Sequence, residues 1–425
     1  MASTPKNNFN VNDDERGGNT AFLLRLIQQT LPKDKLAIAV SGGLDSMALL
    51  NATLMIAREH DLKLTAFYVH HGLHIQADEW LSHVEQFCID HQIDFAARYL
   101  NADTRQNAQS IEEWARQGRY AALAEMAIAH SIKEVWLAQH EDDQIETYVL
   151  QHARGAGARG LSAMPAIFDK NGLRWQRPWL SVTRAQIASY VAEQQLAHIH
   201  DPSNDDLRFA RNSVRLDVQK MSLSERAHIL KAIALAQNQT QQEDVWAQQI
   251  LDAHRASHRP EIAECSRLVD LHLSDYSVEK QAILLRAWFA SMNWRMPSRA
   301  TLADLCRQLL SDRVDQHMCW RHEDGFAVAQ FQNAWIAARV LPMGQWFLTE
   351  DLQQWVQNER LTLRTRVGGE RIRLHPQRSR KSLKQAYQEK SVAPMLRGQL
   401  PLIYRGDDLI YVVGVGANVD APSEV

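Results

Sequence analysis

The segment KLAIAVSGGLDSMALL, residues 35–50, limits the possible folds of this chain more than any other segment. Residues 35–40 predict a buried strand and residues 45–51 begin a helix with apolar periodicity, so residues 41–44 must turn the chain sharply. A strand, a glycine turn and a helix N-terminus make an anion site, because unpaired N–H groups and the positive end of the helix dipole converge there. Asp45 adds a carboxylate at this site. Either no phosphate binds here, or a divalent cation lies between phosphate and carboxylate.

Length and composition describe a globular protein of several domains. A chain of 425 residues is too long for one core, so two or three domains are expected. A run of about eighteen apolar residues is absent, and the polar, acidic start is unlike a signal peptide. These features predict a cytoplasmic protein with no membrane partner and a disordered tail over residues 1–20. The four cysteines form no CxxC pair and are expected to be packing residues; they are Cys88, Cys265, Cys306 and Cys319.

Strands that alternate with helices predict an α/β fold with a parallel sheet in the first half of the chain. The predicted strands are residues 35–40, 62–70, 93–100 and 134–139, and the predicted helices between them are 45–59, 77–91 and 110–130. Ligands of such sheets bind at the carboxyl ends of the strands, where the segment after residue 40 lies.

Two later changes of composition predict two further domains. The parallel-sheet domain is expected over residues 21–216. An Ala-, Gln- and Leu-rich sequence predicts a helical domain over residues 225–335, and alternating apolar residues with glycine turns predict a small strand-rich domain over residues 345–420.

Three carboxylates, Asp142, Asp143 and Glu146, are spaced to share one face of a helix that starts near residue 142. A solvated acidic helix start explains these residues equally well by themselves, since acidic residues suit a helix N-terminus. The glycine-rich sequence RGAGARG that follows, residues 154–160, favours a site for a metal or an amine.

Arginines are grouped in two further segments. Ser110 and Glu113 predict a capping box, after which Arg116 and Arg119 lie within one helical turn of Tyr120, as an anion site requires. The segment DPSNDDLRFARNSVR, residues 201–215, offers three arginines for phosphate or an RNA backbone: Arg208, Arg211 and Arg215.

The C-terminal region is strongly basic. Residues 361–405 contain eleven Lys or Arg and two acidic residues, in a protein whose net charge is −3. We expect a hairpin that turns at Gly368–Gly369 and presents arginines on one face and apolar residues, Val367 among them, on the other, as a strand pair that follows phosphates would. These arginines are Arg364, Arg366, Arg371 and Arg373.

The motif S-G-G-x-D-S at residues 41–46 resembles the pyrophosphate-binding (PP) loop of the N-type ATP pyrophosphatases. Within that group, residues 138–164 resemble the H-x-x-D-D-Q-x-E-T segment of the tRNA(Ile)-lysidine synthase family. The A-R-x-x-R-Y, D-P-S-N and R-N-x-x-R motifs resemble the same family, as does the C-terminal region. The resemblance spans about residues 35–415 with the motifs in family order.

The resemblance implies a ligase with ATP, Mg²⁺, L-lysine and tRNA(Ile) bearing a CAU anticodon as its cofactors and partners, and allows a homodimer. It implies that ATP adenylates the C2 carbonyl oxygen of the wobble cytidine with release of pyrophosphate, and that lysine then replaces AMP at C2. The lysidine so formed would change the tRNA from methionine to isoleucine identity and its codon from AUG to AUA.

The resemblance also implies roles for the residues that match its motifs. Those implied to bind ATP are Ser41, Gly42, Gly43, Leu44, Asp45 and Ser46, with Asp45 also holding the metal. Those implied in catalysis are Asp45, Arg116, Arg119, Asp143 and Glu146. Those implied to bind lysine are Asp142, Asp143 and Glu146, and the predicted tRNA ligands are the seven arginines of residues 208–215 and 364–373 named above. Gln139 stands where many members have histidine, which leaves His140 as the neighbouring candidate for an imidazole role.

Two other functions remain open from the sequence. A tRNA thiolase of the same group also adenylates a base, but commonly carries sulfur on paired cysteines. A non-catalytic RNA-binding protein could keep the fold without the activity. The unpaired cysteines argue against the first, and the retained acids and arginines argue against the second.

Overall fold

One six-stranded sheet organises the N-terminal part of the chain. Its strands lie in the order β3-β2-β1-β4-β6-β5, and all pairs are parallel except β5 with β6. The strands are β1 (Lys35–Val40), β2 (Lys63–His70), β3 (Asp94–Tyr99), β4 (Glu134–Trp136), β5 (Ile167–Lys170) and β6 (Leu173–Gln176). The predicted parallel sheet is confirmed, and β5 and β6 extend it.

The structure is a computed structural model, and the residues that it describes are 18–72, 75–100, 111–202, 210–253, 266–269, 275–292, 294, 296–297, 299–309, 319–322, 326–331, 334–339, 345–346, 348–390, 392, 394 and 396–421. Ser110 and Arg208, which the sequence singled out, lie outside these residues, as does the predicted tail up to residue 17. Residues 18–20, also assigned to that tail, are helical. The chain divides into two compact units, Met1–Thr240 and Gln241–Val425.

Nine helices are described up to residue 253. They are α1 (Gly18–Thr30), α2 (Leu44–Glu59), α3 (Ala77–His91), α4 (Ile111–Ala129), α5 (Glu141–Ala153), α6 (Ala158–Leu161), α7 (Arg184–Glu193), α8 (Ala210–Lys220) and α9 (Leu223–Ala253). The sheet packs against α1, α2, α3 and α7 in one core cluster and against α4 in another. None of the described helices is long and apolar enough to cross a membrane.

Strand β1 is buried on both faces, which explains its continuous apolar sequence. Leu36, Ile38 and Val40 belong to a core cluster with residues of α1, α2 and α7, whereas Ala37 belongs to a second cluster with residues of α4. Successive side chains of a strand point to opposite faces, so β1 joins both cores. The residue that follows β1, Ser41, is thereby fixed at the carboxyl edge of the sheet.

The second unit contains more strand than the sequence predicted. Its first part has helices α10 (Val278–Ser291) and α11 (Arg299–Leu309) and an antiparallel sheet in the order β7-β10-β9-β8. These strands are β7 (Ser266–Val269), β8 (Cys319–His322), β9 (Phe326–Phe331) and β10 (Ala334–Arg339). The helical domain predicted over residues 225–335 does contain helices α9, α10 and α11, and it also contains this sheet, which the sequence did not predict. The alanines of FAVAQF and AWIAAR favour helix locally, but pairing across strands outweighs that preference.

The C-terminal part of the second unit forms a four-stranded antiparallel sheet, in the order β11-β14-β15-β16, and a two-stranded sheet of β12 and β13. Its elements are α12 (Glu350–Asn358), β11 (Thr362–Arg364), β12 (Arg371–Ile372), β13 (Lys381–Ser382), α13 (Leu383–Glu389), β14 (Leu402–Arg405), β15 (Asp408–Val412) and β16 (Gly416–Ala417). This agrees with the predicted fold class, which is α/β with a strand-rich C-terminal part.

The predicted hairpin at Gly368–Gly369 is wrong. Strand β11 pairs with β14, and β12 pairs with β13, so the strands on either side of the glycines do not pair with each other. The Glu370 carboxylate accepts N–H groups of Val367, at 2.6 Å, and Gly368, which closes a local turn instead. Val367 is 93% exposed rather than part of an apolar face.

The segment after α7 holds the turn that follows β1. The Ile199 N–H donates to the Gly42 carbonyl at 2.9 Å, and Ile199 forms a parallel bridge with Gly43. Gly42 has a φ of +83°, and a Cβ there would lie 2.5 Å from Cδ1 of Ile199. Position 42 therefore requires glycine for its backbone conformation and for its contact with Ile199.

Gly42→Ala is expected to destabilise the protein more than Gly172→Ala, a matched control. Gly172 has a similar φ of +73°, but nothing lies within 4 Å of a Cβ there. Both variants should lose about 1–2 kcal/mol for the left-handed backbone, and Gly42→Ala about 0.5–1.5 kcal/mol more, because the end of the Ile199 side chain must move to admit the methyl group. Urea unfolding followed by circular dichroism measures both losses.

The double variant Gly42→Ala with Ile199→Ala separates the two causes, because it removes the clash and keeps the backbone strain. We expect a Gly42→Ala penalty close to that of Gly172→Ala in the Ile199→Ala background. Equal losses for the two single variants would contradict the assigned contact.

Candidate active site

The turn from β1 into α2 leaves a helix N-terminus available to a ligand. Gly43 is the N-cap residue, and no side chain in the described part of the chain caps the helix. The Ser46 hydroxyl donates to the Gly43 carbonyl at 3.0 Å and accepts the Ser41 N–H at 3.2 Å, which fixes the shape of the turn. The N–H groups of the first helical turn are thus left for an anion, as the sequence predicted.

Asp45 lies beside a buried histidine. His140 Nε2 is 3.6 Å from Asp45 Oδ1 and 3.5 Å from Asp143 Oδ2, and His140 is 5% exposed. Among the described residues, His140 Nδ1 and Asp45 Oδ1 are buried atoms without a hydrogen-bond partner. Because His140 precedes α5 and Asp45 belongs to α2, this contact joins the anion site to the acidic helix.

The charges of this group depend on one another. Burial alone would raise the pKa of Asp45, but its interaction with His140 and the charges of Arg184 and Arg215 hold that pKa below its usual value. Burial alone would lower the pKa of His140, but its interactions with Asp45 and Asp143 raise it. Both shifts favour an imidazolium next to carboxylates.

Two arginines of α8 cover two of the predicted carboxylates of α5. Arg211 donates to Asp143 Oδ1 at 2.7 Å and to Glu146 Oε2 at 3.0 Å, and Arg215 donates to Glu146 Oε1 at 3.0 Å. The Glu146 side chain is only 1% exposed. The structure thus brings together two residues predicted to bind lysine and two predicted to bind tRNA.

Asp142 has different hydrogen-bond partners from Asp143 and Glu146. Its Oδ1 and Oδ2 accept hydrogen bonds from Arg226 at the start of α9, and the Arg184 N–H donates to Oδ1 at 3.4 Å. Arg226 also donates to Glu141 at 3.1 Å. The predicted acidic helix start is present, since all three acids lie on α5, but Asp142 has Arg226 of α9 as its partner whereas Asp143 and Glu146 have arginines of α8.

A buried arginine fixes the residue before His140. Arg177, 5% exposed at the end of β6, donates to Gln139 Oε1, to the Pro165 carbonyl at 2.6 Å and to the Tyr120 hydroxyl at 3.4 Å. Arginine has no acceptor, so it determines that the oxygen of Gln139 faces it. Arg177 connects three segments that are far apart in sequence, and no local pattern singles it out.

The arginines predicted on α4, Arg116 and Arg119, are exposed in the structure. The charge of Arg119 acts on His71, which directly follows β2. Burial, with the nearby Arg119 and His70, lowers the pKa of His71 to about 4, so this imidazole is neutral at physiological pH. Sequence analysis missed His71, although its place at a strand end is a usable signal.

The C-terminal arginines are engaged within the second unit. Arg364 lies over the Tyr404 ring at 4.4 Å and donates to the Gly406 carbonyl at 2.7 Å and to Asp407 at 3.2 Å. Arg371 donates to the Arg380 carbonyl, Arg373 pairs with Asp420, and Arg366 is partly buried.

A divalent cation fits this site as a partner of phosphate. Among the described residues no group of three His, Cys, Asp or Glu side chains could hold a metal. A lone carboxylate is nevertheless the usual protein ligand of Mg²⁺ where substrate phosphates supply the others. Oδ1 of Asp45 is buried, accepts no hydrogen bond within the described residues and lies beside an uncapped helix N-terminus, with His140 Nε2 at 3.6 Å as its charged neighbour; its carboxylate would hold the cation.

Comparison with known proteins gives three matching family models. A PP-loop domain matches residues 19–222, a TilS substrate binding domain matches residues 272–343, and a TilS substrate C-terminal domain matches residues 361–424. The phosphate-loop geometry and the first match define a PP-loop protein with an ATP pyrophosphatase domain.

Two relatives extend this match over most of the chain. The tRNA(Ile)-lysidine synthase of Ralstonia nicotianae is 33% identical over 91% of this chain and 89% of its own length. That of Proteus mirabilis is 31% identical over 88% of this chain and 90% of its own length. The chain belongs to the tRNA(Ile)-lysidine synthase family and is an enzyme. Among solved structures, a U34-tRNA thiolase of Methanococcus maripaludis has a TM-score of 0.45 and 14% identity, and the match covers 52% of this chain and 80% of that one.

Arg226→Gln is expected to lower the free energy of unfolding by about 3 kcal/mol, because it leaves the Asp142 carboxylate with little solvent and no guanidinium. Arg174→Gln is the matched control, since the Arg174–Asp169 pair is long, 3.8 Å, and exposed. That control should cost less than about 1 kcal/mol. Urea denaturation measures both, and equal small losses would show that Arg226 does not hold Asp142.

Proposed function

We propose that this protein joins L-lysine to C2 of the wobble cytidine in the CAU anticodon of tRNA(Ile), with an adenylated tRNA as intermediate. The observation that carries this proposal is the contact of His140 with both Asp45 and Asp143, at 3.6 and 3.5 Å. This contact supports the proposal because it joins the proposed phosphate site at Asp45 to the proposed amine partner Asp143, and ATP-dependent ligation of an amine needs both. The family of the chain supports the same reaction.

Adenylation is the first step of the proposed reaction. The C2 carbonyl oxygen of cytidine attacks the α-phosphorus of ATP, and the bond to the β-phosphate oxygen breaks. Pyrophosphate leaves towards the N–H groups at the start of α2, between Ser41 and Ser46, which stabilise its negative charge. Mg²⁺, held by Asp45, would neutralise phosphate charge when bound.

The arginines of α4 are proposed to act on the α-phosphate. Arg116 and Arg119 are exposed on one helix, and the charge of Arg119 reaches His71 at the end of β2. Guanidinium groups held in position stabilise the charge that develops in the transition state without reorganising.

Transfer to lysine is the second step. The lysine ammonium gives a proton to a carboxylate of Asp143 or Glu146, and the free amine then attacks C2. The bond from C2 to the AMP oxygen breaks, AMP leaves, and the new C–N nitrogen gives its second proton to the solvent. Asp143 and Glu146 are the proposed partners of the amine, because Asp143 lies next to His140, which also contacts Asp45, and Glu146 shares Arg211 with Asp143. Free lysine has a pKa of about 10.4, so its ammonium must be bound before it is deprotonated.

Binding of tRNA is proposed for the other domains. The helix-rich residues 225–335 are proposed to contact the tRNA, and residues 345–420 to bind it through Arg364, Arg366, Arg371 and Arg373. Such contacts to phosphates give affinity with little base specificity. The chemical steps above use residues of a single chain, so a homodimer is not required for them.

Incubation of the protein with ATP, tRNA(Ile) transcript and isotopically labelled lysine tests the proposed function. Mass spectrometry of the anticodon nucleosides should find lysidine that carries the label. A reaction that needs ATP but leaves cytidine unmodified would overturn the proposal.

Asp45→Ala is expected to abolish lysidine formation and to leave tRNA binding nearly intact. Loss of the metal-holding carboxylate should slow adenylation on the order of a thousandfold or more. Release of pyrophosphate from ATP in the presence of tRNA measures the rate, and filter binding of tRNA is the control. Turnover near the wild-type rate would exclude Asp45 from the reaction.

Glu146→Gln keeps the shape of the side chain and removes its charge. We expect it to impair the lysine step at least tenfold more than adenylation of tRNA, because the ammonium loses a carboxylate partner. Single-turnover assays with and without lysine separate the two steps. Equal damage to both steps would refute the assignment of Glu146 to lysine.

A further inference from the structure

Every carboxylate oxygen of Asp143 and Glu146 already accepts a hydrogen bond from the protein. Asp143 Oδ1 accepts a hydrogen bond from Arg211 at 2.7 Å, and Asp143 Oδ2 accepts one from the backbone N–H of His140 at 3.1 Å. Glu146 Oε2 accepts from Arg211 and Oε1 from Arg215, both at 3.0 Å. An entering ammonium would therefore compete with guanidinium groups for each carboxylate.

The arginines are the more accessible members of this group. The side chains of Arg211 and Arg215 are 37% and 27% exposed, whereas those of Asp143 and Glu146 are 12% and 1% exposed. The guanidinium groups of Arg211 and Arg215 balance the carboxylates of Asp143 and Glu146. These four side chains together therefore carry no net negative charge that would attract an amine. Solvent, and any anion in it, reaches the arginines before the acids.

We propose that Arg211 and Arg215 mask the lysine-binding carboxylates, and that phosphate groups of a substrate draw these arginines away. This inference rests on the proposed function, which assigns lysine to Asp143 and Glu146. Phosphate is a suitable competitor, because it pairs with a guanidinium in the same bidentate geometry as a carboxylate. The two roles predicted for this region, lysine binding by α5 and phosphate binding by α8, then belong to two alternating states.

The phosphate can come from the RNA or from ATP. The two arginines lie in the segment predicted to contact RNA, and the charge of Arg215 also reaches Asp45 at the phosphate loop. In either case the amine site opens only after the substrate to be activated is present. Binding of lysine and of that substrate is then coupled, and each raises the affinity for the other by the same factor.

Equilibrium dialysis of radiolabelled L-lysine tests the coupling in the full-length wild-type protein. Three samples are compared: protein alone, protein with α,β-methylene-ATP and Mg²⁺, and protein with tRNA(Ile) transcript. We expect lysine to bind at least tenfold more tightly in one or both of the latter, and the responding sample identifies the source of the phosphate. Equal lysine affinity in all three samples would overturn the mask.

Single-residue variants distinguish whether Arg215 covers the carboxylates or binds lysine itself. Arg215→Gln should tighten lysine binding to the protein alone about tenfold and reduce the effect of the phosphate compounds. Arg226→Gln removes a guanidinium of α9 that contacts Glu141 and Asp142 of α5 but not Glu146, and it should not tighten lysine binding at a temperature where thermal melting shows that this variant is folded. Weaker lysine binding by Arg215→Gln in every sample would mean that Arg215 holds lysine, which contradicts the mask.

Two further measurements keep the test decisive. Thermal melting checks that Arg215→Gln is folded, and Arg215→Lys, which keeps the charge but loses the planar fork, should give an intermediate lysine affinity. Glu146→Gln should lose lysine binding in every sample. Normal lysine affinity in Glu146→Gln would overturn the lysine site of the proposed function itself, whereas its loss together with equal wild-type affinities would overturn the mask alone.

Discussion

The arrangement of the candidate active site depends on the contact between His140 and two carboxylates, Asp45 of α2 and Asp143 of α5. Each carboxylate follows the carboxyl end of a strand, β1 or β4, and these strands are neighbours in the sheet. An imidazolium between them offsets the repulsion of two acids at close range. The proposed phosphate site and the proposed amine site can therefore lie next to each other with less repulsion of a bound anion.

The acidic residues of the candidate active site are each paired with a basic side chain. On α5, Asp142 pairs with Arg226 of α9, while Asp143 and Glu146 pair with arginines of α8. Neighbouring acids on one helix would otherwise repel one another. The same pairs attach α8 and α9 to α5, so the residues that hold the acidic helix in place also control access to its carboxylates.

The C-terminal arginines differ from a simple basic patch. Arg364 and Arg373 are each paired with an acid, Asp407 and Asp420. The Arg364–Asp407 pair is exposed, and exposed pairs contribute little to stability, whereas the Arg373–Asp420 pair is partly buried. A strand-rich domain with such pairs is compatible with general binding of phosphates, the role proposed for residues 345–420.

The sequence by itself determined the parallel sheet, the glycine turn at residues 41–46 that leads into α2 and the acidic start of α5, because period-2 and period-3.6 patterns and glycine turns are local. The tertiary structure alone decided which partners those residues have. Arg177 and Arg226 reach Gln139 and Asp142 across 38 and 84 residues, and β11 pairs with β14 rather than with its neighbour. Such contacts depend on which elements the packed core brings together, and no spacing within one segment encodes them.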